Sequence, residues 1–319
     1  MFFPNVTVLR LDALASPAPG NKDFKLRPFL ALASVRGVRR LVSFGGAWSN
    51  HLHALAAVGA QHGLQTVGIV RAQPHEPDTP TLADARAAGM QILKVGRGQY
   101  AQRHVPAYLH EIEQRYAPCI VIPEGGATAA AAASCAAIGA AIVQHVPDVR
   151  QVVVAVGTGT TLAGIVQGLS QPGTAGHPAQ ELCSGQAATG DTLRTPGHQE
   201  AQGHDNAVQV HGIAALKGAD DLDATVERLL FACGVKRPVR WTLHHEFHGG
   251  GFARLTPSLR EFMLAFEARH GIPLDPVYTA KALYATEQLL RGGELDSAKK
   301  TVVVHTGGLQ GRRGYAFLQ

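Results

Sequence analysis

Val152-Val153-Val154-Ala155-Val156-Gly157-Thr158-Gly159-Thr160-Thr161 decides how this chain is read. An unbroken run of small and β-branched apolar residues reads as a strand buried on both faces, and such strands belong to parallel sheets. The run opens at once into a Gly/Thr turn and then into a helical pattern. Glycine lets backbone approach a ligand closely, successive N–H groups can point inward, threonine hydroxyls add donors, and the helix start adds the positive end of its dipole. The loop therefore reads as an anion cradle, with an ordinary βα turn capped by threonine as the alternative. It matches neither G-x-x-x-x-G-K-[ST] nor a full G-x-G-x-x-G with a downstream ribose carboxylate, which disfavours nucleoside triphosphates and dinucleotides.

Outward from this stretch, strand and helix patterns alternate. Strands are predicted at Val6–Leu11, Arg40–Phe44, Thr66–Val70, Gln91–Val95, Cys119–Ile122, Gln151–Val156, Ala207–Ile213 and Lys300–His305. Helices are predicted at Lys25–Ala33, Ser49–Gln61, Thr81–Ala88, Val105–Tyr116, Ala127–Val143, Thr161–Leu169, Leu222–Cys233, Pro257–His270 and Thr279–Arg291. This βαβ repetition predicts an α/β protein of two open, twisted, mostly parallel sheets with helices on both faces. Between Ser170 and Asn206 the composition shifts to Gly, Pro, Gln, Thr, Ala and His without periodicity, which reads as a flexible, non-catalytic insertion over 170–206.

Composition narrows the function classes. A chain of 319 residues exceeds the usual single-core size, and 45% hydrophobic content supplies ample core. The net charge of +5 is dispersed, with no basic stripe interleaved with aromatics, so anionic small molecules are favoured over nucleic acid. Cys119, Cys135, Cys183 and Cys233 are far apart with no C-x-x-C, the usage of a reduced, cytoplasmic protein. The start Met1-Phe2-Phe3-Pro4 lacks the features of a secretory signal, and the Ala-rich stretch 127–143 reads as a tightly packed internal helix, so no membrane partner is expected.

Three more islands accompany the cradle: Gly20-Asn21-Lys22 followed by Lys25, Gly45-Gly46-Ala47-Trp48-Ser49-Asn50-His51, and His305-Thr306-Gly307-Gly308 after a second Val run. Together they offer what a pyridoxal-phosphate site requires: an amine to condense with an aldehyde, a phosphate nest, and polar groups for the phenolic oxygen and ring nitrogen. Ser49 reads either as a helix cap or as a hydroxyl at the substrate, and Asn50 as an amide for the phenolate. His51 and His53 fall on different helix faces. His244-His245-Glu246-Phe247-His248 lacks the H-E-x-x-H spacing, so no metal is expected.

In order, Gly20-Asn21-Lys22-x-x-Lys25, Gly45-Gly46-x-x-Ser49-Asn50-His51, Gly157-Thr158-Gly159-Thr160-Thr161, Asp275-Pro276-Val277-Tyr278-Thr279 and His305-Thr306-Gly307-Gly308 resemble the D-cysteine desulfhydrase and 1-aminocyclopropane-1-carboxylate deaminase family. That family has the tryptophan-synthase-β-like fold, type II among pyridoxal-phosphate enzymes. The resemblance implies a large cofactor domain from 1–27 plus 136–319, a small α/β domain from 28–135, and a homodimer. It makes Lys22 the covalent attachment point and Lys25 a neutralising charge for the phosphate, which the loop Gly157, Thr158, Gly159, Thr160 and Thr161 holds. It sets Asn50 at the ring oxygen, Ser49 at the substrate, Tyr278 facing substrate or ring, and Thr306 at the pyridine nitrogen. The catalytic set is thus Lys22, Ser49 and Tyr278.

The activity this implies is a lyase or deaminase reaction on a small amino acid, D-cysteine to pyruvate, ammonia and sulfide. Phe252 stands near where the cyclopropane deaminases carry a second tyrosine, and Thr279 where they carry a glutamate, so the desulfhydrase side is favoured. Pro123-Glu124-Gly125-Gly126-Ala127-Thr128 lacks the Ser-Asn of many relatives, and the segment before the lysine motif is shorter than theirs, with Arg10-Leu11-Asp12 in place of a charged stretch. The alternatives are 1-aminocyclopropane-1-carboxylate deaminase and a catalytically silent cofactor-binding protein.

Overall fold

The computed structural model describes residues 4–170 and 207–318. The chain runs β1 (Val6–Arg10), α1 (Asn21–Arg36), β2 (Arg40–Gly46), α2 (Asn50–Gln61), β3 (Gln65–Arg71), α3 (Pro80–Ala87), β4 (Gln91–Val95), α4 (Arg97–Ala101), α5 (Pro106–Tyr116), β5 (Ile120–Ile122) and α6 (Ala129–His145). It continues through β6 (Val149–Val156), α7 (Thr160–Ser170), β7 (Gln209–Ala214), α8 (Leu222–Ala232), β8 (Arg240–His244), α9 (Pro257–His270), α10 (Thr279–Gly292) and β9 (Lys300–His305). Two sheets form, with strand orders β1-β9-β6-β7-β8 and β4-β3-β2-β5, and every pairing is parallel. The expected insertion 170–206 lies, from residue 171 on, outside the described residues, as does Cys183. Cys119, Cys135 and Cys233 are free thiols.

Strand order explains where a ligand goes. In the larger sheet β6, β7 and β8 advance to one side while β9 lies on the other side of β6. In the smaller sheet β2, β3 and β4 advance one way and β5 flanks β2 on the other. Each sheet thus has a point where its winding reverses, and the loops leaving the strands there part to leave a crevice. The loops at these two points are 157–159, the segment after His305, 47–49 and 123–128, and all but the last belong to islands that stood out in the sequence.

The helices α1 and α6 belong to both cores. Phe24 packs with the strands of the larger sheet, whereas Leu26, Phe29 and Ala33 of the same helix pack with the smaller one. The Ala-rich α6 is an internal helix, and no described helix is long and apolar enough to cross a membrane. Its small residues let it lie against α7 almost backbone to backbone: a Cβ added to Gly168 would fall 2.1 Å from Ala136 O, and one on Gly164 2.4 Å from Ala132 O. The cradle strand β6 and its helix α7 are thereby clamped to α6.

Three elements differ from expectation, one being the five-residue helix α4, which the sequence reading did not predict. Helix α1 starts at Asn21, four residues earlier than the Lys25 start that the apolar pattern indicated. The cause is tertiary: Asn21 N–H donates to Thr306 O at 3.1 Å, and Gly20 bridges Gly307. Strand β8, an edge strand with Leu243 and His244 buried and Arg240 and Thr242 exposed, occupies Arg240–His244, a strand the sequence reading did not predict. His244 Nε2 meets His211 Nδ1 of β7 at 3.0 Å. Among the described residues no group of three or more His, Cys, Asp or Glu is arranged to hold a metal ion.

Candidate active site

Lys22 lies in the first turn of α1, placed there by the crossing of two glycines. Gly20 has φ +125°, and a Cβ on it would meet Thr306 O at 2.4 Å, so only glycine permits α1 to begin against the end of β9. Lys22 keeps partial exposure on the floor of the crevice, and its Nζ donates to Asn21 Oδ1 at 3.0 Å. Asn21, itself buried, donates from Nδ2 to Thr161 Oγ1 at 2.8 Å, which ties the lysine turn to the first turn of α7. Burial pushes the Lys22 amine down to about 8, opposed by the nearby Cys135 and Asp275.

Lys25, one turn further along α1, is 3% exposed. Its Nζ donates to Thr158 Oγ1 at 3.2 Å and to Gly125 O at 3.4 Å, spanning the 157–159 and 123–128 loops. Desolvation and then the charge of Lys22 lower its pKa to about 7. Thr158 shares a hydrogen bond with Thr160 at 3.0 Å. Gly159 is left-handed, with φ +75°, and its carbonyl accepts Ala163 N–H as α7 begins. Two amines, two hydroxyls and a helix N-terminus therefore converge on one volume. Such a set is costly without an anion, because each amine is held below its ordinary pKa by burial.

The opposite wall comes from the smaller sheet. Ser49 caps α2 by accepting Leu52 N–H at 3.2 Å, so the cap reading holds in this structure, and its own O–H stays free to donate. Asn50 follows, its Oδ1 accepting from Gln310 Nε2 at 2.7 Å. His51 is buried, and burial with the two lysines lowers its pKa to about 3. Ser43 Oγ donates to Ile122 O at 2.8 Å and so accepts from His51 Nε2, also at 2.8 Å. The imidazole is therefore neutral with Nδ1 bare.

Tyr278 closes the site from α10. A Cβ on Gly157 would lie 3.2 Å from its ring, so the ring covers the cradle glycine. Its N–H donates to Asp275 Oδ1 at 2.6 Å. Asp275 is fully buried, its Oδ2 has no hydrogen-bond partner, and desolvation raises its pKa to about 7. Burial and then Asp275 and Glu124 raise the Tyr278 phenol. Thr306 sits at the end of β9, its carbonyl spent on Asn21.

All the residues singled out from the sequence, Lys22, Lys25, Ser49, Asn50, 157–161, Tyr278 and Thr306, are thus brought to one crevice. Asn21, His51, Asp275, Cys135 and Gln310 join them without having been assigned a role. Asn21 and Asp275 stood inside the quoted motifs and were legible there as polar residues beside glycine or proline. Gln310 gave no signal, since its partner is 260 positions away.

An amine on the floor of a sheltered crevice beside an anion cradle defines an enzyme that can condense with a phosphorylated aldehyde. The chain belongs to the pyridoxal-phosphate dependent enzyme family, whose pattern matches residues 5–307. It is 26% identical over 312 residues to a putative 1-aminocyclopropane-1-carboxylate deaminase of Pyrococcus horikoshii, covering 98% of this chain and 86% of that protein. It is 25% identical over 329 residues to the mitochondrial bifunctional D-cysteine desulfhydrase/1-aminocyclopropane-1-carboxylate deaminase of Arabidopsis thaliana, covering 97% and 74%. The crystal structure of a homologue of 1-aminocyclopropane-1-carboxylate deaminase superposes with a TM-score of 0.78 at 24% identity, over 98% of this chain and 87% of that one. Threonine deaminase isoform 2 of Solanum lycopersicum superposes at 0.62 and 13% identity, over 95% and 75%. The fold is that of the type II pyridoxal-phosphate enzymes, and the residues present fit the cofactor: a reactive amine, an unneutralised phosphate cradle and an asparagine amide.

Proposed function

We propose that this chain is a pyridoxal-phosphate lyase that removes a β substituent from a small amino acid, D-cysteine foremost. The net reaction takes cysteine and one water to pyruvate, ammonia and hydrogen sulfide. The bound cofactor withdraws electrons from the substrate α-carbon and so acidifies its proton. Lys22 holds the cofactor, Lys25 and the Gly157–Thr161 loop its phosphate, Asn50 its phenolic oxygen and Thr306 its ring nitrogen. A neutral hydroxyl at that nitrogen makes the ring a weaker electron sink than a carboxylate would, which suits elimination better than transamination. Ser49 and Tyr278 bind and orient the substrate.

The observation that carries this reading is the gathering of the Lys22 and Lys25 amines on the Thr158–Thr161 turn, Asn21 linking Lys22 to Thr161 and Lys25 donating to Thr158. With a pKa of about 8, about a quarter of the Lys22 amine is free base near pH 7.5, against roughly a thousandth at the ordinary value, so Lys22 can accept the α-proton at neutral pH. The names of the relatives also suggest cyclopropane ring opening. In this chain Phe252 is 47% exposed and Thr279 is fully buried, which leaves a second tyrosine and a glutamate absent from their places. The working form in this reading is a cytoplasmic homodimer.

The test is the visible spectrum of the purified protein before and after D-cysteine, with pyruvate measured in the same cuvette. A cofactor band that shifts while pyruvate accumulates is expected, and Lys22→Ala should lose both the band and turnover. An active Lys22→Ala protein with an unchanged spectrum sinks the assignment. Formation of 2-oxobutyrate from 1-aminocyclopropane-1-carboxylate would favour the deaminase, and a stable band without any product a silent binding protein.

A further inference from the structure

A primary amide offers a donor edge and an acceptor edge of nearly equal shape, and which one meets a ligand is set by what the other edge is bonded to. Asn50 is the first residue of α2, on the smaller sheet's side of the crevice. Its Oδ1 accepts from Gln310 Nε2 at 2.7 Å, a bond that crosses from the segment after β9. We propose that Gln310 is a positioning residue that fixes the Asn50 amide with its donor, Nδ2, as the edge available to the cofactor's phenolic oxygen. This deepens the reading in which Asn50 meets that oxygen and rests on it.

Three features of the structure support this assignment. First, the direction of the amide is not arbitrary. A Cβ placed on Gly308 would fall 2.3 Å from Asn50 Nδ2 and 3.3 Å from Asp275 Oδ2, so both atoms crowd the same glycine. Asp275 Oδ2 is buried and without a partner. Turning the asparagine over would set its N–H edge against Gln310 Nε2, donor against donor, and carry its carbonyl oxygen into the place over Gly308 that Nδ2 holds. Second, glycine at 308 leaves the room for the amide: its φ is +87°, and any Cβ there would overlap Asn50 Nδ2.

Third, Gln310 sits on an anchored segment. The 3-10 turn Leu309–Gly314 is held on one side by Arg312, whose Nη1 donates to Leu274 O at 2.7 Å and whose Nη2 donates to Glu267 Oε2 at 3.0 Å. On the other side Arg313 Nη1 donates to Asp84 Oδ1, in the middle of α3, at 3.2 Å. A side chain two residues before a pair of anchored arginines loses little further freedom when it orders its partner, which is the condition for preorganisation.

The inference predicts an inversion. Gln310→Glu keeps the shape but replaces the donor by an acceptor, so the Asn50 amide turns its N–H edge to residue 310 and its oxygen to the phenolic oxygen. Gln310→Met removes donor and acceptor and leaves the amide free to rotate. The experiment titrates pyridoxal phosphate into cofactor-free protein without any amino acid, by absorbance, and follows the visible band of the loaded protein against pH. It uses wild type, Gln310→Glu, Gln310→Met, Asn50→Ala and Asn50→Ala/Gln310→Glu, with thermal unfolding of each cofactor-free protein as a fold check.

Asn50→Ala should weaken binding, and Gln310→Glu should weaken it at least as much, on the order of tenfold or more for a lost and reversed hydrogen bond, while moving the band's pH transition. Gln310→Met should fall between. In the Asn50→Ala background Gln310→Glu should change affinity less than about twofold, because the two residues act through one amide. Unchanged affinity and band in Gln310→Glu overturn the proposal, as does an equal loss in the Asn50→Ala background, which would mark a local structural or charge effect. If Asn50→Ala itself leaves binding and spectrum unchanged, the reading of Asn50 falls, and the proposal with it.

Discussion

Replacing Lys25 by methionine should stabilise the cofactor-free protein while disabling the proposed phosphate site. Lys25 is 3% exposed, and burial together with the charge of Lys22 brings its pKa from 10.5 down to about 7. For a base whose folded pKa lies below its unfolded one, the penalty is fully present below the folded value and vanishes as pH rises past the unfolded value. At about 1.4 kcal/mol per unit, the folded state near pH 7.5 is about 4 kcal/mol less stable than it would be with an unperturbed lysine. The repulsion from Lys22 is mutual and is counted here once.

Methionine fills most of the volume and removes this cost. It also gives up the bonds to Thr158 and Gly125, each long and together worth about 1–2 kcal/mol. A net gain of about 2 kcal/mol is expected near pH 7, a rise of several degrees in unfolding temperature. The assay is thermal unfolding of the cofactor-free wild type and Lys25→Met between about pH 6 and 10, with and without inorganic phosphate. The gap should be widest at the acid end and close toward pH 10, and phosphate should raise the wild-type temperature but not the variant's. A variant less stable than wild type across this range, or a gap that widens with pH, would refute the argument that Lys25 is an uncompensated buried amine.

Two further perturbations separate packing from electrostatics. Gly168→Ala places a methyl 2.1 Å from Ala136 O at the α6–α7 contact, so urea unfolding should show a loss of about 1–3 kcal/mol even though alanine has the higher helix propensity. Asp275→Asn replaces a carboxyl whose folded pKa is raised from 3.8 to about 7. A raised acid costs stability above its unfolded value, in full above about pH 7, so the variant should unfold at a higher temperature than wild type near pH 8. That gain should be gone near pH 4, and thermal unfolding at the two pH values checks it.

Local chemistry made much of this protein legible. The β-branched runs at 152–156 and 301–304 could be little else than buried parallel strands, and the glycines that follow them marked where the backbone had to turn tightly. The ordered motifs carried the family and the cofactor and singled out Lys22, Lys25, Ser49, Asn50, Tyr278 and Thr306 as candidates, because the chemistry of a phosphorylated aldehyde restricts residue types at fixed local spacings. The Ala/Gly composition of 127–143 showed a helix to be packed closely, though not against what.

Tertiary structure alone decided the rest. The start of α1 at Asn21, and so the location of Lys22 in a helical first turn, depends on Gly20 crossing Gly307 and on a carbonyl at Thr306, contacts that no window of local sequence contains. The edge strand β8 was hidden because it carries only two apolar residues, Trp241 and Leu243, an alternation too short to stand out from a loop. The depressed lysines follow from desolvation, which depends on everything packed around α1. The Gln310–Asn50 bond exists only because two sheets meet at their winding-reversal points, and a hydrogen bond between residues brought together by topology leaves no periodic trace in the chain.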